Sequence, residues 1–137
     1  MSASQRRKGI TGEQEVAHIL STALGLEVKR NWTEQFFGGA FDLIGVPGWA
    51  IEVKRAKHES IRDWWQQAVT QAKRAKLKPA LIYRIDGQGR GLPEDEKWHV
   101  VAPLFMLPNT GADHDHSVTM TLKTWIFLLT QRDNCVQ

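Results

Sequence analysis

The sequence predicts an α/β fold in which helices flank one mixed sheet of five strands, in the order αβββαββ with a further C-terminal helix. Apolar residues recur every three to four positions in separate segments, as they do on the buried face of a helix. Between the first two of these segments, short apolar runs flank a Pro47-Gly48 turn and predict a β-hairpin. Helical patterns interspersed with strand patterns are typical of a sheet covered by helices.

Three segments have the pattern of helices. The first helix is predicted from Ile10 to Leu24, with Thr11 and Gln14 as a capping box at its start. A second helix begins at Ser60 and carries an inward apolar stripe. Leu122–Gln131 is predicted to form a C-terminal helix that packs on the core and could also contact a second subunit.

Five segments have the short apolar runs expected of strands. They cover Leu26–Trp32, Phe41–Val46, Trp49–Val53, Ala80–Ile85 and Lys97–Ala102. The segment from Asn109 to Ser117 is polar and is predicted to be a loop.

The composition bounds the class of protein. With 137 residues and 42% hydrophobic content the chain can bury one core, so residues 1–137 are predicted to form a single domain. Cys135 is the single cysteine, which excludes an internal disulfide and argues against a zinc cluster. The sequence has no apolar run of about 20 residues and no hydrophobic segment of a secretion signal. We therefore expect a cytoplasmic protein without a membrane partner.

Charge is distributed unevenly along the chain. Residues 1–90 contain 15 Lys and Arg against nine Asp and Glu, whereas residues 91–137 contain three against six. The basic part includes the hairpin. This asymmetry is typical of a surface that follows a phosphate backbone, although a solvated basic surface has the same composition. Residues 1–8, which include Arg6, Arg7 and Lys8, are predicted to form a mobile basic arm that could reach nucleic acid.

The hairpin carries three ionisable residues in otherwise apolar runs. Glu52 and Lys54 share one face of the second strand because side chains alternate along a strand. A three-residue loop or a bulge brings Asp42 of the first strand to them, whereas a two-residue loop places it opposite Val53 on the other face. We predict the first arrangement. Two carboxylates and an ammonium then converge, and carboxylate oxygens are the ligands that Mg²⁺ prefers.

Two interpretations of these side chains compete. In a metal site, Lys54 would orient or deprotonate a water, or offset charge on a phosphate. In a surface hairpin, the same residues would form a cross-strand ion pair. The apolar surroundings of Asp42 and Glu52 favour the metal site, because an unpaired buried charge is costly. Glu13 extends the apolar stripe of the first helix and is either a third ligand, an orienter of water, or an ordinary acid of the first turn.

The order of these segments resembles a known class of nucleases. KGITGEQEV opens the first helix, EVKRNW forms a strand, and FDLIG and IEVKRAK form the hairpin with the spacing D-x9-E-x-K. This pattern resembles the PD-(D/E)XK nuclease core, here without the proline before the aspartate. The order and spacing are similar to those of the archaeal-type Holliday junction resolvases, which are also found in some viruses and phages. The resemblance covers roughly residues 6–102.

The resemblance implies a restriction-endonuclease-like core and a metal-dependent homodimer that nicks the two opposed strands of a four-way DNA junction. It implies that Asp42, Glu52 and the Val53 carbonyl bind Mg²⁺, for which we expect Mn²⁺ to substitute. Glu13 would complete the metal shell directly or through water, and Lys54 would complete the catalytic set. A viral member would act in the host cytoplasm.

The resemblance also implies contacts with DNA. Arg30 matches a basic residue at the end of the first strand, and Thr33 stands where the family has a loop serine near the scissile phosphate. Gln67 and Gln71 resemble helix glutamines that assist the active site in many PD-(D/E)XK nucleases. The full set of predicted DNA contacts is Arg6, Arg7, Lys8, Lys29, Arg30, Thr33, Arg55 and Lys57.

Two other functions fit the same residues. One is a different nuclease of this superfamily, acting on flaps or on duplex DNA. The other is a basic nucleic-acid binding module without catalysis. Binding that weakens steeply with salt fits all three functions, so cleavage of defined DNA substrates is needed to separate them.

Overall fold

The structure is a computed structural model that describes residues 2–31, 41–107, 110 and 115–135, with side chains to residue 131. Within these residues the chain forms four α-helices and six strands. The helices are α1 Ala3–Leu24, α2 Ile61–Ala75, α3 Glu94–Lys97 and α4 Leu122–Cys135. The strands are β1 Lys29–Arg30, β2 Leu43–Ile44, β3 Trp49–Ala56, β4 Lys78–Ile85, β5 His99–Pro103 and β6 Ser117–Thr121.

The strands form one mixed sheet whose spatial order follows the chain from β1 to β6. Strands β3 and β4 are parallel, and all other neighbours are antiparallel. A parallel pair needs a crossover, and helix α2 supplies it between β3 and β4. The predicted α/β class with a mixed sheet flanked by helices is confirmed.

The helices cover both faces of the sheet. On one face, α1 and α4 pack against the odd-numbered residues of β3 and the even-numbered residues of β4, and Trp125 meets Trp49 edge to face with ring centroids 5.2 Å apart. On the other face, α2 packs with Ala68 against Leu81, Tyr83 and Ile85. Every position of the central strands therefore has a defined side.

The first helix begins earlier than the sequence analysis predicted. Helix α1 starts at Ala3, and Ser2 forms a capping box with Gln5. The prediction of a mobile arm over residues 1–8 is therefore wrong for residues 2–8, and so is the cap at Thr11. The sequence S-A-S-Q satisfies the same capping-box pattern nine residues earlier, and a polar first turn can remain solvated while its backbone is helical.

The sheet also gains a sixth strand. Ser117–Thr121 pairs with β5, so the prediction of five strands missed β6. Its sequence SVTMT is short but contains β-branched residues, which favour strands. Strand β1 is shorter than predicted, because only Lys29 and Arg30 pair with β2.

Among the described residues, none of the helices combines the length and apolarity that a membrane crossing requires.

Candidate active site

The register of the hairpin brings Asp42 beside Glu52. Leu43 lies opposite Ile51, and the Trp49 N–H closes the turn onto the Val46 carbonyl at 3.2 Å. A turn closed from Trp49 to Val46 has two central residues, so one extra residue on the β2 side, a bulge, sets Asp42 opposite Glu52 and not opposite Val53. A three-residue loop or a bulge was the arrangement predicted from the sequence. The predicted placement of Asp42 in the hairpin is confirmed.

The cluster faces helix α2. In the parallel pairing, Glu52 lies beside Leu81 and Lys54 beside Tyr83. Neighbouring residues in a sheet point to the same side, and Leu81 and Tyr83 pack under α2. Asp42 alternates with Leu43, which belongs to the core on the α1 side. All three ionisable side chains of the hairpin therefore lie on the α2 side.

Both carboxylates are buried. Asp42 is 5% exposed and Glu52 is 3% exposed. Asp42 Oδ2 accepts a hydrogen bond from the Val53 backbone N–H at 2.8 Å, which ties the side chain to the strand that carries Glu52. Lys54 Nζ lies 3.5 Å from Glu52 Oε1 and is partly exposed. Two buried carboxylates with one nearby ammonium form a strongly polar site that opens to solvent on the lysine side.

The donor set fits a hard divalent cation. Two carboxylates lie close together at this depth, and buried charges in proteins are paired or coordinate a metal. Carboxylate oxygens and main-chain carbonyls are typical ligands of Mg²⁺, which keeps several waters. In the described ranges, no three His, Cys, Asp or Glu side chains come together as a metal-binding group. The fit therefore rests on two carboxylates, the main chain and water.

Glu13 lies with Arg30 and not with the carboxylate pair. Arg30 Nε donates to Glu13 Oε2 at 2.7 Å, and both side chains are largely buried. Arg30 pairs with Leu43 across the sheet, which sets it on the α1 side, opposite the face of Asp42 and Glu52. The structure thus does not bring Glu13 to a shared cluster with them, and a role for Glu13 in the metal shell stays a prediction.

Comparison with known proteins identifies the family of the chain. Residues 4–127 match the family described as "Phage putative PDDEXK endonuclease". The chain belongs to this family. It is a PD-(D/E)XK nuclease, and the D-x9-E-x-K residues Asp42, Glu52 and Lys54 are the ones that the structure brings together.

Two individual proteins are also similar to this nuclease. Protein D14 of Escherichia phage T5 is 30% identical, over 63% of this chain and 68% of that protein. Hjc of Archaeoglobus fulgidus, a Holliday junction resolvase from an archaeal hyperthermophile, is 21% identical in sequence. Its structure, at 1.6 Å resolution, superimposes with a TM-score of 0.46 over 80% of this chain and 83% of that one.

The predicted DNA contacts of the nuclease fall into two groups. Arg6, Arg7, Lys29 and Lys57 are exposed, and Lys29 lies 3.9 Å from the exposed Glu27. The other group, Lys8, Arg30 and Arg55, is half-buried and held in ion pairs. Thr33 lies outside the described residues.

The two predicted helix glutamines differ in position. Gln67 is exposed, whereas Gln71 is 7% exposed on α2, on the side of the sheet that carries Glu52. Gln71 Oε1 is buried and accepts no hydrogen bond from the described residues. Of the two, Gln71 is therefore the one whose amide lies in the layer between α2 and the sheet.

Asp86 is a further charged residue near the site that was not predicted from the sequence. This residue follows β4, and its carboxylate accepts hydrogen bonds from Lys8 of α1 and from Arg55 of β3, the latter at 3.2 Å. Its position follows from the parallel register of β3 and β4, in which Ala56 lies beside Ile85. Asp86, the next residue, therefore lies near the end of β3 that carries Arg55. Burial alone would raise the pKa of the Asp86 carboxyl, but the bonds from Lys8 and Arg55 outweigh it and hold the pKa below its ordinary value.

We expect Asp86→Asn to reduce the free energy of unfolding by about 1 kcal/mol at pH 7 and by less near pH 3. The folded-state pKa is lowered, so the stabilisation is present above the ordinary pKa of the carboxyl and is lost as the pH falls through the folded-state pKa. Urea unfolding at the two pH values measures the effect. Asp95→Asn is the control, since Asp95 has no ion pair among the described residues. An equal loss at both pH values would contradict the prediction.

Proposed function

We propose that this protein is a divalent-metal-dependent endonuclease that resolves four-way DNA junctions by paired nicks in opposed strands. The observation that carries the proposal is the convergence of Asp42, Glu52 and Lys54 on one face of the sheet, with both carboxylates buried. Family membership supports the nuclease activity. The order and spacing of the first-helix, strand and hairpin motifs, which resemble junction resolvases, support the choice of substrate.

In this proposal Asp42, Glu52 and the Val53 carbonyl hold Mg²⁺, and Mn²⁺ can replace it. When bound, the cation supplies a Lewis acid that stabilises negative charge on the phosphate. The hydrogen bond from the Val53 N–H fixes the Asp42 carboxylate against β3 at 2.8 Å. Because β3 also carries Glu52, the two carboxylates keep their spacing without a mobile loop.

Lys54 acts on the attacking water. Its ammonium lies 3.5 Å from Glu52 Oε1 and is the partly exposed member of the cluster, so it faces the side from which a phosphate approaches. There it orients the water and offsets the charge that develops on the phosphate oxygens. The water oxygen bonds to phosphorus and loses its proton, the bond from phosphorus to O3′ breaks, and O3′ takes up a proton. The products carry a 5′-phosphate and a 3′-hydroxyl.

The Glu13 and Arg30 pair serves the same reaction from the other side of the sheet. Glu13 holds the Arg30 guanidinium in place through Nε at 2.7 Å. On this face Glu13 would position Arg30 for contact with a phosphate of the DNA backbone. Paired nicks need two such sites, so the proposal includes a homodimer that acts in the host cytoplasm.

Cleavage of a synthetic four-way junction tests the proposal. The same labelled strands, assembled as a junction, a flap, a linear duplex and a single strand, are incubated with the protein in Mg²⁺, in Mn²⁺ and in EDTA. We expect symmetric nicks in the junction with either metal and none in EDTA. End-group analysis of the products should find a 5′-phosphate.

The other outcomes separate the rival functions. Faster cleavage of the flap or the duplex than of the junction would assign the protein to another nuclease of the superfamily. Binding to all substrates without cleavage in either metal would favour a non-catalytic binding module. Equal cleavage in EDTA would overturn the metal site.

A further inference from the structure

A cleft lies at the end of β3, between that strand and the first turns of α1. It is lined by Ser4 and Lys8 from α1 and by Arg55, Lys57 and His58 from β3 and the loop after it. Ser4 and Lys8 are four residues apart and so share one face of the helix. The cleft thus combines hydroxyl and cationic donors from two elements that are far apart in sequence.

Asp86 organises the cations of this cleft. Its two oxygens take different partners, with Oδ2 bound to Lys8 Nζ and Oδ1 bound to Arg55 Nε at 3.2 Å. Both cationic side chains are consequently about 70% buried, as their side chains are 30% and 26% exposed. An arginine held through Nε keeps its terminal nitrogens available, and those of Arg55 make no hydrogen bond to any described residue.

We propose that this cleft binds a phosphate of the DNA strand that leaves the cleavage site, and that Asp86 is the positioning residue that presents Arg55 and Lys8 to it. Three cationic side chains line the cleft, and a single carboxylate offsets only part of their charge. The guanidinium fork matches a phosphate in two-point geometry. The inference rests on the proposed nuclease function, because it assigns the path of the same substrate.

The distance from the catalytic lysine suits one continuous strand of DNA. Lys57 follows Lys54 by three residues along β3 and its exit. At about 3.3 Å per strand residue, that is roughly 10 Å, or about three nucleotide rises of 3.4 Å. Lys54 and Arg55 point to opposite faces of the sheet, so the DNA strand would cross the end of β3 to reach the cleft.

Equilibrium binding of a fluorescent four-way junction in EDTA tests the cleft without cleavage. We expect Arg55→Gln to weaken binding about tenfold at 0.1 M salt and to lower the slope of log K against log salt by about 0.9, because one phosphate contact is lost. Lys123→Gln is the matched control. It removes a cation of α4 that is paired with Glu96 of α3, and we expect an unchanged slope. An unchanged slope for Arg55→Gln would overturn the phosphate contact.

A double-mutant cycle tests the role of Asp86. If Asp86 acts by presenting Arg55 and Lys8, Asp86→Asn should weaken binding about threefold in the parent protein and by less in an Arg55→Gln background, where only Lys8 is left for Asp86 to hold. If Asp86 merely repels DNA, Asp86→Asn should tighten binding in both backgrounds, and the positioning role falls. Arg55→Lys keeps the charge but lacks Nε–H, so the salt slope should recover while the affinity recovers only in part. Circular dichroism confirms that each variant is folded.

The two proposals fail in distinguishable ways. The salt slope is measured without metal, so the cleft can be refuted while the parent protein still cuts junctions. Absence of cleavage by the parent protein, with a normal effect of Arg55→Gln on the slope, would instead refute the nuclease mechanism and keep the cleft.

Discussion

Asp42→Asn and Glu52→Gln are each expected to reduce Mg²⁺-dependent DNA cleavage about 10³-fold, since loss of a metal ligand removes several kcal/mol of transition-state stabilisation. Both carboxylates are buried on the same side of the sheet, and each substitution removes one of the two carboxylates of the proposed metal site. DNA affinity in EDTA should be no weaker than that of the parent protein, because a negative charge near a polyanion has been removed. Single-turnover cleavage and binding titrations give the two quantities.

The control for these variants is an exposed carboxylate near the same strand. Glu59→Gln makes the same chemical change beyond the end of β3, on an exposed residue, and should leave the cleavage rate within about twofold. Thermal unfolding should show that Asp42→Asn and Glu52→Gln remain folded at the assay temperature. Normal cleavage by both variants would show that the metal is bound elsewhere or is not used.

The hairpin was predictable because its constraints are local. Strand alternation places Glu52 and Lys54 together, and only two loop lengths had to be weighed to place Asp42. The observed pairing of Leu43 with Ile51 selects the register that sets Asp42 beside Glu52. The class of fold was predictable for a similar reason, because periodicity in short segments identifies helices and strands before their packing is known.

The relation of Glu13 and Asp86 to the site depends on packing that the sequence does not determine. Glu13 lies on a helix, and a helix can cover either face of a sheet. Val16 and Leu20 pack on the face of the sheet that carries Arg30. Glu13 of the same helix therefore lies close enough to bond to this arginine. Asp86 is placed by the parallel register of β3 and β4, which requires a 15-residue crossover helix and therefore cannot be inferred from neighbouring residues.

Helix and strand ends were also beyond the sequence patterns. Ser2 and Thr11 each begin a plausible capping box, and the choice depends on whether the first polar turns gain contacts elsewhere. The structure shows such a contact, since Lys8 reaches Asp86 across the end of the sheet. Strand β6 was not predicted for a related reason. It has five residues and lies at the edge of the sheet, so it is recognised as a strand only through its pairing with β5.

Gly45→Ala should reduce the free energy of unfolding by about 4 kcal/mol, by combining backbone strain with overpacking. Gly45 has a φ of +119°, and a Cβ there would lie 2.2 Å from the Glu27 carbonyl oxygen and 2.9 Å from the Val28 Cα. Both contacts are backbone atoms, so the segment leading into β1 must move away from the hairpin. The Asn31 N–H bonds to the Asp42 carbonyl at 2.7 Å, so this movement should also displace Asp42.

Gly87→Ala is the control that measures the cost of a positive φ without a steric clash. Gly87 also has a positive φ, of +83°, but nothing lies within 4 Å of the position that its Cβ would occupy. This variant should lose only about 1 kcal/mol, the cost of a left-handed alanine, and should cleave DNA at the parent rate. Urea unfolding and cleavage by the remaining folded fraction measure both effects. Equal losses of stability in the two variants would mean that the close approach to Glu27 relaxes without cost, and that the β1 segment does not hold Asp42 in place.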